Sequence, residues 1–460
     1  MIVQFKVGNF LSFKDTVTLS MVGYTPIKEH ESEKDFCSVI QEPFEKMKLL
    51  KSCVLYGANG SGKSNLLSAI SFFRKFILTS SNERQATDEI KTIPFLLSLE
   101  IEDTPSLFEM IFFIDDIRYR YGFEADKEKV HSEWLFLMKN EPSAKETKLF
   151  TREYGDISPN NKFFKEGKGL ENKTRPNALF LSTVAQLNGE ISTKILSWFK
   201  FNLNIISGLE DTTTSFTVNK FLQEEAFKQI VIEFFKTIEI GFDNIEIVEE
   251  NDFIEKSFKK LPNEFASEID EVMSALKKLQ EKAKKTENTF EQKQISINTF
   301  HKKFNSSQEF IKYESLDFGL ESKGTMKLFS LLGPIIDTIQ KNKIIIIDEL
   351  DSRLHTLLTI ELIKFFHSKS NKCAQLIFAS HDTNLLKKEI FRRDQIWFTE
   401  KNKIGATELY SLVEYKVNQA FVRNDASFEK DYLLGKYGAI PFLGNIQQFI
   451  NDFLYEEEQE

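Results

Sequence analysis

A glycine-rich segment at residues 57–64, GANGSGKS, has the composition and spacing of a phosphate-binding loop. The glycines let successive backbone N–H groups converge on phosphate oxygens, Lys63 supplies a point charge for the β and γ phosphates, and Ser64 offers a hydroxyl to Mg²⁺. A chance glycine-rich turn is the alternative, but an apolar strand at 53–56 and a helical pattern at 65–78 flank the segment as the motif requires. The predicted nucleotide-binding residues are Gly57, Ala58, Asn59, Gly60, Ser61, Gly62, Lys63, Ser64 and Asn65.

Two adjacent acids, Asp348 and Glu349, follow the short apolar run 344–347, which is typical of a buried parallel strand. Asp348 would reach Mg²⁺ through water, and Glu349 would polarise the water that attacks a γ-phosphate. A second apolar run, 376–379, ends before His381, whose imidazole could orient that water. The alternative reading is a core strand whose acids face solvent. Lys63, Glu349 and His381 are therefore the candidate catalytic residues.

The segment LESKGTMKLF places Ser322 and Gly324 at the start of a predicted helix, where backbone N–H groups can bind an anion. An ordinary capped helix is the alternative for this segment alone. Its order along the chain, before Asp348 and His381, favours the anion site.

The elements that must position these residues alternate between strand and helix patterns. Residues 1–20 predict two short strands around a turn at Gly8 and Asn9, and 95–149 predict a meander or hairpin sheet. One amphipathic helix fits 264–285 and is too short for a long coiled-coil arm. The expected divisions are 1–90, the head with the phosphate loop; 91–178, an antiparallel β-rich subdomain; 179–310, a mostly helical insertion; 311–400, the rest of the head; and 401–460, a C-terminal extension.

Composition and charge limit the function classes. The chain has 460 residues, 41% of them hydrophobic, and a net charge of −9, so charge does not predict non-specific DNA binding. The three cysteines are far apart, which argues against a disulfide framework or a cysteine metal site. The N-terminus lacks a signal-peptide pattern and the apolar runs are too short for a membrane span. We expect a cytoplasmic protein without a membrane partner.

The order of phosphate loop, helix-start ESKGT, Asp-Glu pair and histidine resembles the ATPase head of ABC transporters, chromosome-maintenance proteins and overcoming-lysogenization-defect proteins. That resemblance implies an α/β fold, the ABC-type P-loop ATPase head, with a mixed central sheet, an antiparallel β subdomain and an α-helical insertion. The segments VGNFLSFKD, DELDSRLH, RRDQIW and YLLGKYGAIP are similar to stand-alone abortive-infection ATPases of the AbiL/RloA kind. The match is dense only in residues 1–80 and 315–445.

In such heads two protomers sandwich ATP and Mg²⁺. The resemblance therefore implies a homodimer or higher homo-oligomer with shared ATP sites, in which Ser322 and Gly324 touch the γ-phosphate across the interface. It also makes Gln186 a candidate metal ligand, although a buried polar or surface glutamine is as plausible. The chain departs from the broad ABC pattern in reading ESKGT rather than LSGGQ, and in carrying His355 where chromosome-type heads have an aspartate.

The function implied is an ATP-hydrolysing sensor or regulator in phage defence that controls a separate effector, an RloB-like protein or a nuclease. The residues after Trp397 are too few for the fused nuclease domain of some relatives. The alternatives are a DNA repair or recombination ATPase that clamps DNA and a nucleotide-gated scaffold without useful hydrolysis. A transporter subunit fits least.

Overall fold

A computed structural model of the chain describes residues 1–24, 39–44, 47–83, 85–141, 144–208, 213–250, 294–417, 420–421 and 427–441. The helix expected at 264–285 lies outside these ranges. The chain divides into two compact units, the first formed by 1–210 with 334–460 and the second by 211–333.

The strands, in chain order, are β1 (Ile2–Gly8), β2 (Val17–Ser20), β3 (Val39–Phe44), β4 (Met47–Leu50), β5 (Ser52–Tyr56), β6 (Ser106–Ile114), β7 (Ile117–Ala125), β8 (Val130–Lys139), β9 (Thr147–Glu153), β10 (Asp156–Pro159), β11 (Leu203–Ser207), β12 (Asn244–Glu250), β13 (Gln294–Phe304), β14 (Phe310–Asp317), β15 (Ile344–Asp348), β16 (Gln375–Ala379), β17 (Ile396–Lys401), β18 (Thr407–Ser411), β19 (Lys416–Val417) and β20 (Ala420–Phe421). The helices are α1 (Lys63–Thr79), α2 (Phe180–Gln186), α3 (Glu190–Phe201), α4 (Thr214–Gln223), α5 (Glu225–Thr237), α6 (Lys323–Gln340), α7 (Thr356–Phe366) and α8 (Phe428–Leu433).

A six-stranded mixed sheet in the first unit has the order β11-β15-β16-β5-β17-β18. Its neighbours pair in parallel except β17 and β18, which are antiparallel. The inner strands β5 and β16 are buried along their whole length, as the apolar runs predicted. Parallel pairing brings the carboxyl ends of β5, β15 and β16 to one edge of the sheet, and the phosphate loop, Asp348 and His381 follow those three ends.

A seven-stranded antiparallel sheet, β10-β9-β8-β7-β6-β1-β2, is the second layer of this unit. Helix α1 packs against it through aromatic rings, and the Phe73 ring centroid lies 5.7 Å from Phe5 and 5.5 Å from Phe123. The predicted β6–β7 hairpin forms, and its turn contains Asp115 with a φ of 51°. The first unit therefore has the α/β architecture that the sequence predicted, a mixed sheet with an antiparallel β subdomain.

A buried glutamine joins the two layers. The Gln375 side chain accepts a hydrogen bond from the Ile2 N–H at 2.6 Å and donates to the Ile2 carbonyl at 3.0 Å and the Leu50 carbonyl at 3.2 Å. Because a buried amide must satisfy its hydrogen bonds, these contacts fix strand β1 against the mixed sheet.

Among its described residues, the range 179–310 contains the helices α2, α3, α4 and α5 and also the strands β11, β12 and β13. The second unit contains α4 and α5 but also a three-stranded antiparallel sheet, β12-β13-β14, and its boundary lies at residue 211 rather than 179. Strand β11, inside the range expected to be helical, belongs to the mixed sheet. Strand β11 pairs with β15, which is distant in the chain, and a local hydrophobic period cannot report such a pairing. Within the described ranges no helix combines the length and the hydropathy needed to cross a membrane.

Candidate nucleotide-binding site

The phosphate loop connects β5 to α1 through glycines in the left-handed region. The φ angles of Gly60 and Gly62 are 75° and 115°, and Gly62 is the residue directly before the helix. A Cβ at Gly62 would lie 2.4 Å from the Thr407 hydroxyl oxygen. A side chain at this position is therefore excluded both by the backbone conformation and by space.

Hydroxyl groups from three distant segments hold the outer side of the loop. The Thr407 hydroxyl lies 2.8 Å from the Ser61 carbonyl and 2.8 Å from the Ser12 hydroxyl, and Ser61 bonds Thr399 through their hydroxyls at 2.6 Å. Asn65 donates to the Ser12 hydroxyl at 2.8 Å. Ser12, Thr399 and Thr407 are functional-site residues that no sequence motif identified. The segment VGNFLSFKD contains Ser12, but only the fold shows its contact with the loop.

Lys63 is buried, and its ammonium group donates to the carbonyls of Gly57 at 2.7 Å and Ala58 at 3.1 Å. Burial lowers the pKa of Lys63, because it disfavours the charged form. Neighbouring carboxylates act in the opposite direction: Asp348, Glu349 and Asp351. The lysine therefore lies between the loop that would hold phosphates and the acids that would serve the metal and the water.

The Asp-Glu pair is fixed by backbone contacts at the end of β15. Gly208 donates its N–H to the Asp348 carbonyl at 2.6 Å, and a Cβ at Gly208 would lie 2.0 Å from the Glu349 carbonyl oxygen. Glu349 has a φ of 54°, a left-handed conformation that is costly for a residue with a side chain and that clusters at functional sites. Gly208 is a further residue that the sequence alone did not identify.

His381 is positioned through its backbone. Its N–H and that of Asp382 donate to one carboxylate oxygen of Asp351, at 3.1 and 3.0 Å. The Tyr56 hydroxyl donates to the Asp382 carbonyl at 3.0 Å. Desolvation lowers the pKa of His381 and the nearby Lys63 ammonium adds to that shift, against the raising effect of the three carboxylates. A neutral imidazole, able to accept or donate a hydrogen bond, is thereby favoured.

These groups surround one pocket of about 540 Å³ in the first unit. Its lining consists of residues 59–65 of the phosphate loop with Glu349 and His381. The fold thus brings the three candidate catalytic residues together. Gln186 does not line this pocket; it is exposed at the last residue of α2.

The residues present fit Mg²⁺, a hard cation that prefers oxygen ligands. One Asp348 carboxylate oxygen is buried without a hydrogen-bond partner, and Ser64 lines the pocket. Among the described residues no group of three or more His, Cys, Asp or Glu side chains could hold a metal. The usual Mg²⁺ site of nucleotide enzymes uses one or two protein oxygens together with phosphates and water.

Ser322 and Gly324 lie in the second unit at the start of α6, as predicted. The Ser322 hydroxyl accepts from the Thr325 N–H at 3.1 Å, and the helix begins at Lys323. Ser322 is exposed. It is therefore a capping residue whose helix start faces solvent in the single chain.

A family model described as "AAA domain, putative AbiEii toxin, Type IV TA system" matches residues 53–387. Among solved structures, the chain is similar to an SMC head domain from Thermotoga maritima, with 13% identity, a TM-score of 0.36, and coverage of 89% of this chain and 98% of that one. It is also similar to an SmcHead bound to the C-winged helix domain of ScpA, with 14% identity, a TM-score of 0.38, and coverage of 89% and 97%. None of the curated proteins matches the sequence.

Proposed function

The chain belongs to the AAA domain family whose model spans its phosphate loop and its Asp-Glu pair, and from that premise we propose that it binds and hydrolyses ATP. The observation that supports hydrolysis is the pocket in which Lys63, Glu349 and His381 meet although they follow three different strands. A site for binding alone would need the loop and Lys63 but not the acid and the histidine.

Each residue has a role that its position supports. The phosphate-loop N–H groups bind the β and γ phosphates, and Lys63 exchanges its carbonyl partners for phosphate oxygens. Glu349 accepts a hydrogen bond from the attacking water and receives its proton, and His381 orients that water or the γ-phosphate. Ser64 and Asp348 would hold Mg²⁺, which when bound neutralises the charge on the phosphates.

Hydrolysis is tested with two variants and two matched controls. Lys63→Ala is expected to lose nucleotide binding, whereas Glu349→Gln is expected to bind ATP and to lose turnover by about 100-fold or more. Lys364→Ala and Glu361→Gln, which change an exposed ion pair on α7, should hydrolyse ATP at the wild-type rate. Unchanged turnover in Glu349→Gln would exclude Glu349 as the base.

We further propose that two protomers share two ATP sites, with Ser322 and Gly324 of one facing the phosphate loop of the other. The proposal rests on the resemblance of the motifs, and it is supported by the exposed start of α6. Mixing two inactive variants tests this shared-site arrangement. Lys63→Ala and Ser322→Arg should each be inactive alone, but their heterodimer has one intact site and should regain activity. If each site were complete in one protomer, the mixture would stay inactive.

The biological role we propose is phage defence of the abortive-infection type, in which nucleotide state controls a separate effector. The AbiEii-type description of the family and the similarity to AbiL/RloA-type ATPases support it. Cells carrying the wild-type gene with its neighbours should resist phage, and cells carrying Lys63→Ala should not. Equal protection by both would contradict the proposal, and DNA-stimulated hydrolysis that weakens with salt would favour the DNA-clamp alternative instead.

A further inference from the structure

A carboxylate directly before Ser322 is held by two side chains of one strand. Thr299 donates its hydroxyl proton to a Glu321 carboxylate oxygen at 2.6 Å, and the same oxygen lies 2.8 Å from His301 Nε2. Thr299 and His301 are two residues apart on β13, so they lie on the same face of the sheet. Since a carboxylate oxygen only accepts, Nε2 of His301 carries the proton in this contact.

The cluster is shielded from solvent. Thr299 is fully buried, and the side chains of Glu321 and His301 are 12% and 25% exposed. The ring of Phe242 lies edge-on to His301 at 6.0 Å. Hydrogen bonds to a charged group in such a site are stronger than those between neutral groups, and two of them fix one side-chain position.

Glu321 connects this strand to the helix start. A short 3-10 helix, Phe318–Leu320, follows β14, and Phe318 packs on Phe329 of α6 with ring centroids 5.2 Å apart. The Glu321 N–H bonds the Phe318 carbonyl at 3.1 Å, and Ser322 then caps α6. The backbone of Glu321 and Ser322 is thus set on one side by the turn and on the other by the side chain of Glu321.

The position of this charge matters for an anion at the helix start. The first N–H groups of a helix lack intrahelical acceptors, and they attract any nearby carboxylate as well as a phosphate. A released Glu321 carboxylate, one residue before the cap, would compete with the phosphate and repel it. Held by Thr299 and His301, it is kept at the sheet instead.

We propose that Glu321 is a positioning residue for ATP hydrolysis: its contact with Thr299 and His301 holds the start of α6 in the conformation that receives the γ-phosphate and keeps the carboxylate away from it. The inference rests on the proposed function, since it deepens the role of Ser322 and Gly324. It also makes the β12-β13-β14 sheet a part of the molecule that controls turnover.

A set of variants distinguishes the loss of order at the start of α6 from the release of the Glu321 charge. Glu321→Ala removes both the bonds and the charge, and it should lower kcat about tenfold. His301→Leu leaves the carboxylate held by the Thr299 hydroxyl alone, and the partly released charge should lower kcat further. The double variant His301→Leu/Glu321→Ala should recover to the level of Glu321→Ala, because no charge remains to be released. Glu321→Gln, whose amide oxygen still accepts both hydrogen bonds, should keep most of the activity.

Nucleotide affinity of the single protomer should change less than twofold in every variant, because the phosphate loop is untouched. Lys303→Ala, which changes an exposed lysine of β13, is the matched control and should behave as wild type. A double variant as slow as or slower than His301→Leu, or no change of kcat in Glu321→Ala, would overturn the inference.

A measurement that does not depend on hydrolysis keeps the inference testable if the proposed function is wrong. Amide hydrogen exchange of residues 322–326 should accelerate in Thr299→Val and Glu321→Ala, and it should stay at the wild-type rate in Glu321→Gln and Lys303→Ala. If the wild type does not hydrolyse ATP but shows this exchange pattern, the ATPase function is rejected, and the role of the Glu321 contact with Thr299 and His301 in ordering the start of α6 is retained. Unchanged exchange in Thr299→Val and Glu321→Ala would show that this contact does not order the start of α6.

Discussion

Asp351 holds His381 through the backbone: one carboxylate oxygen accepts the N–H of His381 at 3.1 Å and that of Asp382 at 3.0 Å. The two residues follow different strands of the mixed sheet. The place of the imidazole in the pocket therefore depends on a carboxylate that need not touch the nucleotide.

Replacing Asp351 by alanine removes the acceptor for both N–H groups. We expect kcat to fall roughly 30-fold, because the loss of such charge-assisted bonds costs about 2 kcal/mol. Nucleotide affinity should be retained. Asp351→Asn keeps one oxygen acceptor and should lose less. Steady-state hydrolysis assays and a nucleotide-binding titration measure the effects on kcat and on affinity separately. Equal losses in affinity and kcat would show that the loop after β16 does more than position His381.

The hydroxyl contact behind the phosphate loop predicts an effect on nucleotide affinity. Thr407→Val removes the hydroxyl that lies 2.8 Å from the Ser61 carbonyl and from the Ser12 hydroxyl. Because buried groups are then left unpaired, we expect the free energy of unfolding to fall by about 1–3 kcal/mol and ATP to bind more weakly. Thr407→Ser keeps the hydroxyl and serves as the control. Wild-type affinity in Thr407→Val would show that the loop holds its shape alone.

The close packing of Gly208 predicts that a larger residue at this position would displace Asp348 and Glu349. Its Cβ would lie 2.0 Å from the Glu349 carbonyl oxygen and 2.3 Å from that of Asp348. Gly208→Ala should therefore displace the end of β15 and lower kcat strongly. Gly23→Ala, where the nearest atom would be 3.4 Å away, is the matched control and should be active. Normal hydrolysis by Gly208→Ala would mean that residues 348–349 adjust without loss.

His367 predicts a dependence of stability on pH. Burial lowers its pKa from 6.5 to about 4, with the charge of Lys51 acting in the same direction, so the ring is neutral in the folded chain; its Nε2 lies 2.7 Å from the Ser52 hydroxyl oxygen. As pH falls, the unfolded chain is protonated first. The contribution of His367 to the free energy of unfolding should therefore be complete above pH 6.5. It should decrease by at most about 3 kcal/mol as the pH falls from 6.5 to 4.

Denaturant unfolding at pH 7.5, 6, 5 and 4.5 measures this slope. His367→Gln cannot titrate, so its stability should decline less steeply over the same range even if it is lower at pH 7.5. Parallel curves for the two proteins would show that other groups account for the acid sensitivity.

Local patterns were sufficient for much of the fold and of the pocket. The phosphate loop is set by glycine spacing within eight residues, and β15 and β16 by short apolar runs that end in polar groups. Parallel pairing then places those ends at one edge, which is why Lys63, Glu349 and His381 could be expected to meet. The strands within 179–310 were not predicted, because strand propensity depends on the tertiary neighbours of each residue, which the sequence alone does not give.

The sequence by itself determined the chemistry that this protein carries: a lysine and a hydroxyl in a phosphate loop, two adjacent acids and a histidine at strand ends. Only the tertiary structure decided what holds those groups in place. Thr407 and Ser12 are 395 residues apart, Asp351 and His381 are 30 apart, and Glu321 meets His301 across 20 residues. Each contact joins hydrogen-bonding groups that are far apart in the chain, and such pairs become neighbours only after the sheets have formed.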